Sequence, residues 1–233
     1  MPDSFDIVHD GTRIPIRMKR NKRARRLILR LDQESEGGVL TLPVHATQKD
    51  AMVLVQKNAA WLHTKIQERP PREEFRDRQV LSLLGTPITI LHSPGGRAGV
   101  QLANNELIVY GRPEHLKRRV FDWLRKHARE VITPRAEEMA GRLDKRIGKI
   151  SIRNTRSRWG SCSRTGNLSF CWRLVLTPDW ILDYVIAHEV SHLVHMSHNQ
   201  AFWRTVQTFD VAPDRARAWL GDNGPRLHRI GPL

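Results

Sequence analysis

The apolar residues of this chain change period along its length, and that alternation restricts its fold more than any other feature. Leu27, Leu29 and Leu31 fall at every second position, with Arg30 between the last two, the spacing of a strand with one buried face. The segments 5–8, 13–18 and 38–43 read the same way. Gly37-Gly38 marks a turn, and Pro43 closes the last strand. From Thr47 the spacing becomes helical. Ala51, Val55, Ala59 and Leu62 line one face, and Thr47 stands where an N-cap belongs. Residues 68–78, Glu-Arg-Pro-Pro-Arg-Glu-Glu-Phe-Arg-Asp-Arg, form a charged connector.

Beyond the connector the alternation repeats. Residues 80–93 and 99–111 read as β segments, the second with an Asn104-Asn105 turn, and 114–146 as one long amphipathic helix or two, interrupted near Thr133-Pro134. A strand over 149–154 precedes a hairpin over 158–176 that turns at Thr165-Gly166-Asn167; centred on Gly166-Asn167, that turn sets Cys162 opposite Cys171 as a reduced pair. A helix is expected over 178–196, capped by Thr177 with Pro178 in its first turn, and further helices end the chain. The pattern predicts an α+β protein, with an antiparallel β-rich region carrying one helix over 1–78 and a mainly helical domain with a short hairpin over 79–233.

Composition narrows the class. No stretch holds the roughly 18–20 apolar residues that span a bilayer, no basic-then-apolar leader opens the chain, and two cysteines are too few for a disulfide scaffold. A cytoplasmic protein with free thiols and no membrane partner is expected. The formal net charge is +15. Arg13, Arg17, Lys19, Arg20, Lys22, Arg23, Arg25, Arg26 and Arg30 crowd an interval with no acid between Asp10 and Asp32. Such a run either binds nucleic acid or another polyanion by releasing counterions or forms a solvated strand pair that keeps the chain soluble.

The chemistry lies in His188-Glu189-Val190-Ser191-His192. Helical residues four apart share a face, about 6 Å apart along the axis, so two imidazoles can meet one tetrahedral Zn2+. Glu189, turned about 100° from His188, can touch the ion's water without ligating. The metal lowers that water's pKa toward about 7 and the glutamate takes its proton. A catalytic zinc commonly has a third protein ligand. No Glu follows Glu189, which leaves His198, His195 and the aspartates Asp210 and Asp214. On a continuing helix His195 lies within about 20° of His188 but some 10 Å further on. His198 needs a break, with Ser197 or Asn199 ending one helix and capping the next. Its offset of ten from His188 equals that of the long metzincin motif, although His195 stands where that motif has glycine.

Larger blocks carry a resemblance. Arg158-Trp159-Gly160-Ser161-Cys162, Trp172-Arg173-Leu174, Asp183-Tyr184-Val185-Ile186, His188-Glu189 with His192, and His198 followed by Phe202-Trp203 resemble, over roughly 150–220, the YgjP-like metallopeptidases, relatives of the SprT-like and WLM zinc peptidases. The resemblance implies a zincin-like domain hydrolysing peptide or protein substrates, with zinc on His188, His192 and His198 and Glu189 catalytic. Cys171 and Ser191 stand where the family usually has asparagine and cysteine. Trp159, Trp172, Phe202 and Trp203 read as core, Tyr184 as packing and Arg158 as a structural hydrogen bond or ion pair, with substrate binding its alternative. Three functions compete: a zinc peptidase, a peptidase directed to nucleic-acid-bound proteins, and a non-catalytic nucleic-acid-binding protein with a structural zinc. An intact Glu189 argues against the third.

Overall fold

A computed structural model describes residues 4–32, 35–96 and 99–232. The chain divides into two compact units, one ending at Pro70 and the other running Pro71–Pro232, so the division falls inside the charged connector.

In the first unit, β1 (Ser4–His9), β2 (Thr12–Arg20), β3 (Ile28–Leu31) and β4 (Gly38–Leu42) form a sheet in the order β1-β2-β4-β3. β1–β2 and β3–β4 are antiparallel, but β2 and β4 run parallel. The expected antiparallel region therefore contains one parallel pairing. β3 takes the edge, and β4 returns into the middle beside β2. Helices α1 (Gln48–Lys57) and α2 (Ala59–Gln67) cover one face, and Ala51, Val55, Ala59 and Leu62 are buried against Ile7, Ile14, Ile16, Leu40 and Leu42. Thr47 caps α1 through a reciprocal capping box with Asp50.

In the second unit, β5 (Val80–Leu83), β6 (Thr86–Ser93), β7 (Val100–Ala103) and β8 (Glu106–Tyr110) form a sheet in the order β5-β6-β8-β7. Beyond it α3 (Leu116–Arg142) runs unbroken through Pro134. That proline faces solvent and so does Glu130, whose carbonyl loses the bond, so water can replace it. The buried stripe of α3 recurs every fourth residue: Leu116, Val120, Leu124, Ala128, Ile132, Ala136 and Ala140. Alanines dominate its second half, where their small side chains admit the helix that carries the site.

That helix, α4 (Asp179–Ser191), follows β9 (Ile150–Arg153), β10 (Gly160–Cys162), β11 (Leu168–Cys171) and a buried 3₁₀ turn, Trp172–Leu176. It is apolar nearly all round and buried nearly all round, as a central helix must be. Arg135 of α3 ties it down with bonds of 2.8 Å to both Asp179 and Asp183. Thr177 does not cap it. The buried hydroxyl donates to the Leu174 carbonyl at 2.8 Å instead, and Pro178 occupies the cap position. Nor does the helix reach 196; it ends at Ser191.

The small sheet corrects a further expectation. β11 pairs antiparallel with β10 and parallel with β9. Its register sets Cys162 opposite Leu168 and Cys171 opposite Arg153, so the two thiols do not face each other, and both are free. The turn is centred one to two residues earlier than the Gly166-Asn167 signal implied, because Ser163 and Asn167 bond across it. α5 (Gln200–Gln207) and α6 (Pro213–Leu227) complete the unit. Among the described residues, no helix is long and apolar enough to cross a membrane.

Candidate active site

The site is built where α4 stops. Ser191 is wholly buried and its hydroxyl donates to the Ala187 carbonyl at 2.7 Å. The amides of Val194 and His195 both bond to the Ser191 carbonyl, closing the helix end with tight turns. His192 is the C-cap residue. The chain then reverses, and Asn199 caps α5 by accepting a bond from the Phe202 amide at 2.9 Å. This break returns His198 to the helix.

His188, His192 and His198 come together, each offering one ring nitrogen, with all three nitrogens within 4.8 Å of one another. His188 and His198 present Nε2 to Nε2 at 3.0 Å. His192 Nδ1 lies 2.9 Å from the His195 carbonyl, which accepts a hydrogen bond from Nδ1–H and leaves Nε2 with its lone pair. His195 thus supplies a backbone carbonyl and not its ring. Asp210 lines a different cleft with Arg135 and Trp180, and Asp214 pairs with Arg217. Phe202 lies under all three rings, with centroids 4.6–5.0 Å away.

The donor set suits a borderline divalent cation. Burial, then the neighbouring His192 and His198, hold the His188 imidazole down at about 4, and burial also lowers His192. Both rings are therefore neutral near pH 7, the form that ligates.

Glu189 stands on the adjoining face of α4. Burial pushes its carboxyl up to about 7, and the Arg158 guanidinium opposes that rise. Its room comes from β10. A Cβ on Gly160 would meet Glu189 Cγ and Oε1 at 2.5 Å, so glycine is needed there for close approach. A pocket of about 310 Å3 opens beside these groups, lined by Arg158, Trp159, Tyr184, His188, Glu189 and Arg217, among others. Tyr184 tilts toward His188 with ring centroids 6.0 Å apart.

A model of the YgjP-like metallopeptidase domain matches residues 25–223. The chain belongs to this family. None of the curated proteins compared matches it. Among solved structures, that of the metallopeptidase zymogen of Pyrococcus abyssi abylysin is similar at 22% identity and a TM-score of 0.35, covering 44% of this chain and 98% of that one.

Several features of this YgjP-like protein were expected and others were not. Trp172 and Phe202 are fully buried, and Trp159 and Trp203 pack partly buried against the same core. Trp172 lies under the buried Arg173 guanidinium, which donates to Asn154 Oδ1 and the Ile230 carbonyl. Arg158 and Tyr184 both line the pocket, and Tyr184 is also buried in the core, the packing expected of it. Arg217 was missed. It stands over the Trp203 ring from a helix with no motif, one of 39 basic residues, and nothing in its neighbourhood along the chain singles it out.

Two predictions follow from this geometry. Gly160→Ala should displace Glu189, keep the metal content and lower peptide cleavage at least tenfold; unchanged cleavage would mean the carboxyl needs no such room. Stability should also carry Glu189's signature. A carboxyl whose folded pKa is raised from 4.5 to about 7 holds its proton more tightly in the fold, so rising pH across that window costs stability. In metal-free protein, Glu189→Gln should gain stability relative to wild type as pH rises from 4.5 to 7, read by urea denaturation at several pH values.

Proposed function

We propose that this protein is a zinc-dependent peptidase in which His188, His192 and His198 hold the metal and Glu189 is the general base. The observation that supports this most is the convergence of three imidazole nitrogens within 4.8 Å, from α4, its C-cap and the following loop, beside a buried carboxyl of the same helix that lines the adjoining pocket. Membership of a metallopeptidase family supports it independently. Zinc, when bound, supplies a Lewis acid that polarises a carbonyl oxygen and makes water easier to deprotonate.

The protein's own groups do the rest. The substrate backbone lies in the 310 Å3 pocket, against Arg158, Tyr184 and Arg217. Glu189 takes a proton from the attacking water and returns it to the leaving amine, a task for a carboxyl whose proton affinity is raised by burial. The Arg158 charge favours the ionised carboxylate, the form a base needs. Tyr184 and the guanidiniums of Arg158 and Arg217 offer donors to substrate carbonyls. A non-catalytic zinc-binding role leaves the burial of Glu189 and the space kept by Gly160 unexplained.

Zinc stoichiometry and casein cleavage test the proposal together. His188→Ala and His192→Ala should each lose one equivalent of zinc and all cleavage, and His198→Ala should weaken zinc binding. Glu189→Gln should keep the zinc and lose about 10²–10⁴-fold in turnover. Full cleavage by Glu189→Gln, or unchanged zinc affinity in His198→Ala, would overturn the assignment of that residue.

The exposed basic loop favours a second reading, in which the substrates are proteins bound to nucleic acid. Lys22, Arg23, Arg25 and Arg26 are exposed between β2 and β3, and phosphate neutralisation by such a cluster is salt-dependent. Single-stranded DNA should then speed cleavage of a DNA-binding substrate at low salt and not at high salt. If DNA changes neither rate nor target, the substrate class is not set by nucleic acid.

A further inference from the structure

A second group of metal-ligating side chains lies in the first unit. β1 and β2 are joined by a two-residue turn in which Asp10 and Gly11 have φ of 46° and 72°. Both are left-handed, the type I′ turn that Asp-Gly favours. His9, the last residue of β1, has the same parity as the buried Ile7, so its side chain points to the sheet face that α2 covers. From α2, His63 follows the buried Leu62 and meets His9 edge-on, with ring centroids 5.5 Å apart. The turn folds Asp10 back until its Oδ2 is 3.6 Å from His9 Nε2. One nitrogen of each imidazole and one Asp10 carboxylate oxygen lie within 4.8 Å of one another.

We propose that His9, Asp10 and His63 form a second metal site, for a borderline first-row dication such as Zn2+, distinct from the histidine cluster of the other unit. Tetrahedral zinc with ligands at about 2.0–2.2 Å sets its donors about 3.4 Å apart. The His9–Asp10 separation already meets that spacing, and His63 closes on it by a side-chain torsion. Two imidazoles select zinc, nickel or copper over calcium and magnesium. The carboxylate contributes charge, and Gln67, whose amide is 3.5 Å from His63 Nε2, is placed to orient that ring. Three protein donors leave the fourth position to water. The ion would fasten the hairpin turn to α2, linking two elements otherwise held by apolar contact.

The test is ZnCl2 binding by equilibrium dialysis on the full chain. The background is the double variant His188→Ala/His192→Ala, so that the outcome does not depend on the proposed catalytic zinc. That background should retain one equivalent, and adding His63→Gln or His9→Gln should remove it. Asp10→Asn should lower the affinity at least tenfold. Since asparagine suits a type I′ turn as well as aspartate does, that variant leaves the hairpin intact and its result cannot be attributed to misfolding. A background that binds no zinc would overturn the proposal. So would one equivalent persisting with unchanged affinity through His63→Gln and Asp10→Asn, which would assign the ion to other surface histidines.

Discussion

The end of α4 at Ser191 is the constraint on which the histidine cluster depends. A helix continued to 196 would carry residue 198 away from His188, since each residue adds about 1.5 Å along the axis. Two interactions mark its end. The Ser191 hydroxyl bonds back to the Ala187 carbonyl, and the Ser191 carbonyl takes the amides of both Val194 and His195. The last carbonyls are thereby satisfied without another helical turn, and the chain is free to reverse. The same reversal gives His192 its orientation, because the His195 carbonyl that fixes His192 Nδ1 belongs to the turn.

Glu189 needs burial and space at once, and different elements supply them. Burial comes from α4's position in the core, with α3 brought close by Ala128, Ala136 and Ala140. Space comes from the missing side chain at Gly160 on β10. Burying a carboxyl raises its proton affinity, and one cation, Arg158, moderates the effect. The base proposed here must be ionised to accept a proton yet hold it well enough to pass it on, and these opposing influences act on Glu189 in the two senses that role requires.

The sequence made some of this legible, and the reasons differ by residue. His188, Glu189 and His192 are local: one turn of helix determines their relation, so spacing alone conveys it. The buried stripe Ala51-Val55-Ala59-Leu62 and the Thr47 cap were readable for the same reason. His198 required knowing where the helix stops, and only the weak capping signals of Ser197 and Asn199, the ten-residue offset from His188 and the family resemblance pointed there. The partner of Gly160 is 29 positions along the chain and the role of Arg217 depends on Trp203, relations that exist only after packing. The parallel β2–β4 pairing and the register that separates Cys162 from Cys171 were missed because strand alternation specifies a face and not a neighbour.

The charge of +15 reads differently once partners are assigned. Within the basic run, Arg13 is paired with Asp6, Arg17 bonds to Asp32 at 3.0 Å, and Arg20 donates to the carbonyls of Val44 and Ala46. These three arginines act inside the first unit: two neutralise acids that the sequence places outside the run, and one ties β2 to the segment after β4. The surplus is concentrated instead in the loop from Lys22 to Arg26, where four cations are exposed within five residues. Like charges so close repel, and exposed pairs elsewhere on the surface contribute little to offset that. Four exposed cations in one short loop therefore concentrate positive potential on one part of the first unit, a field that salt screens within about 10 Å.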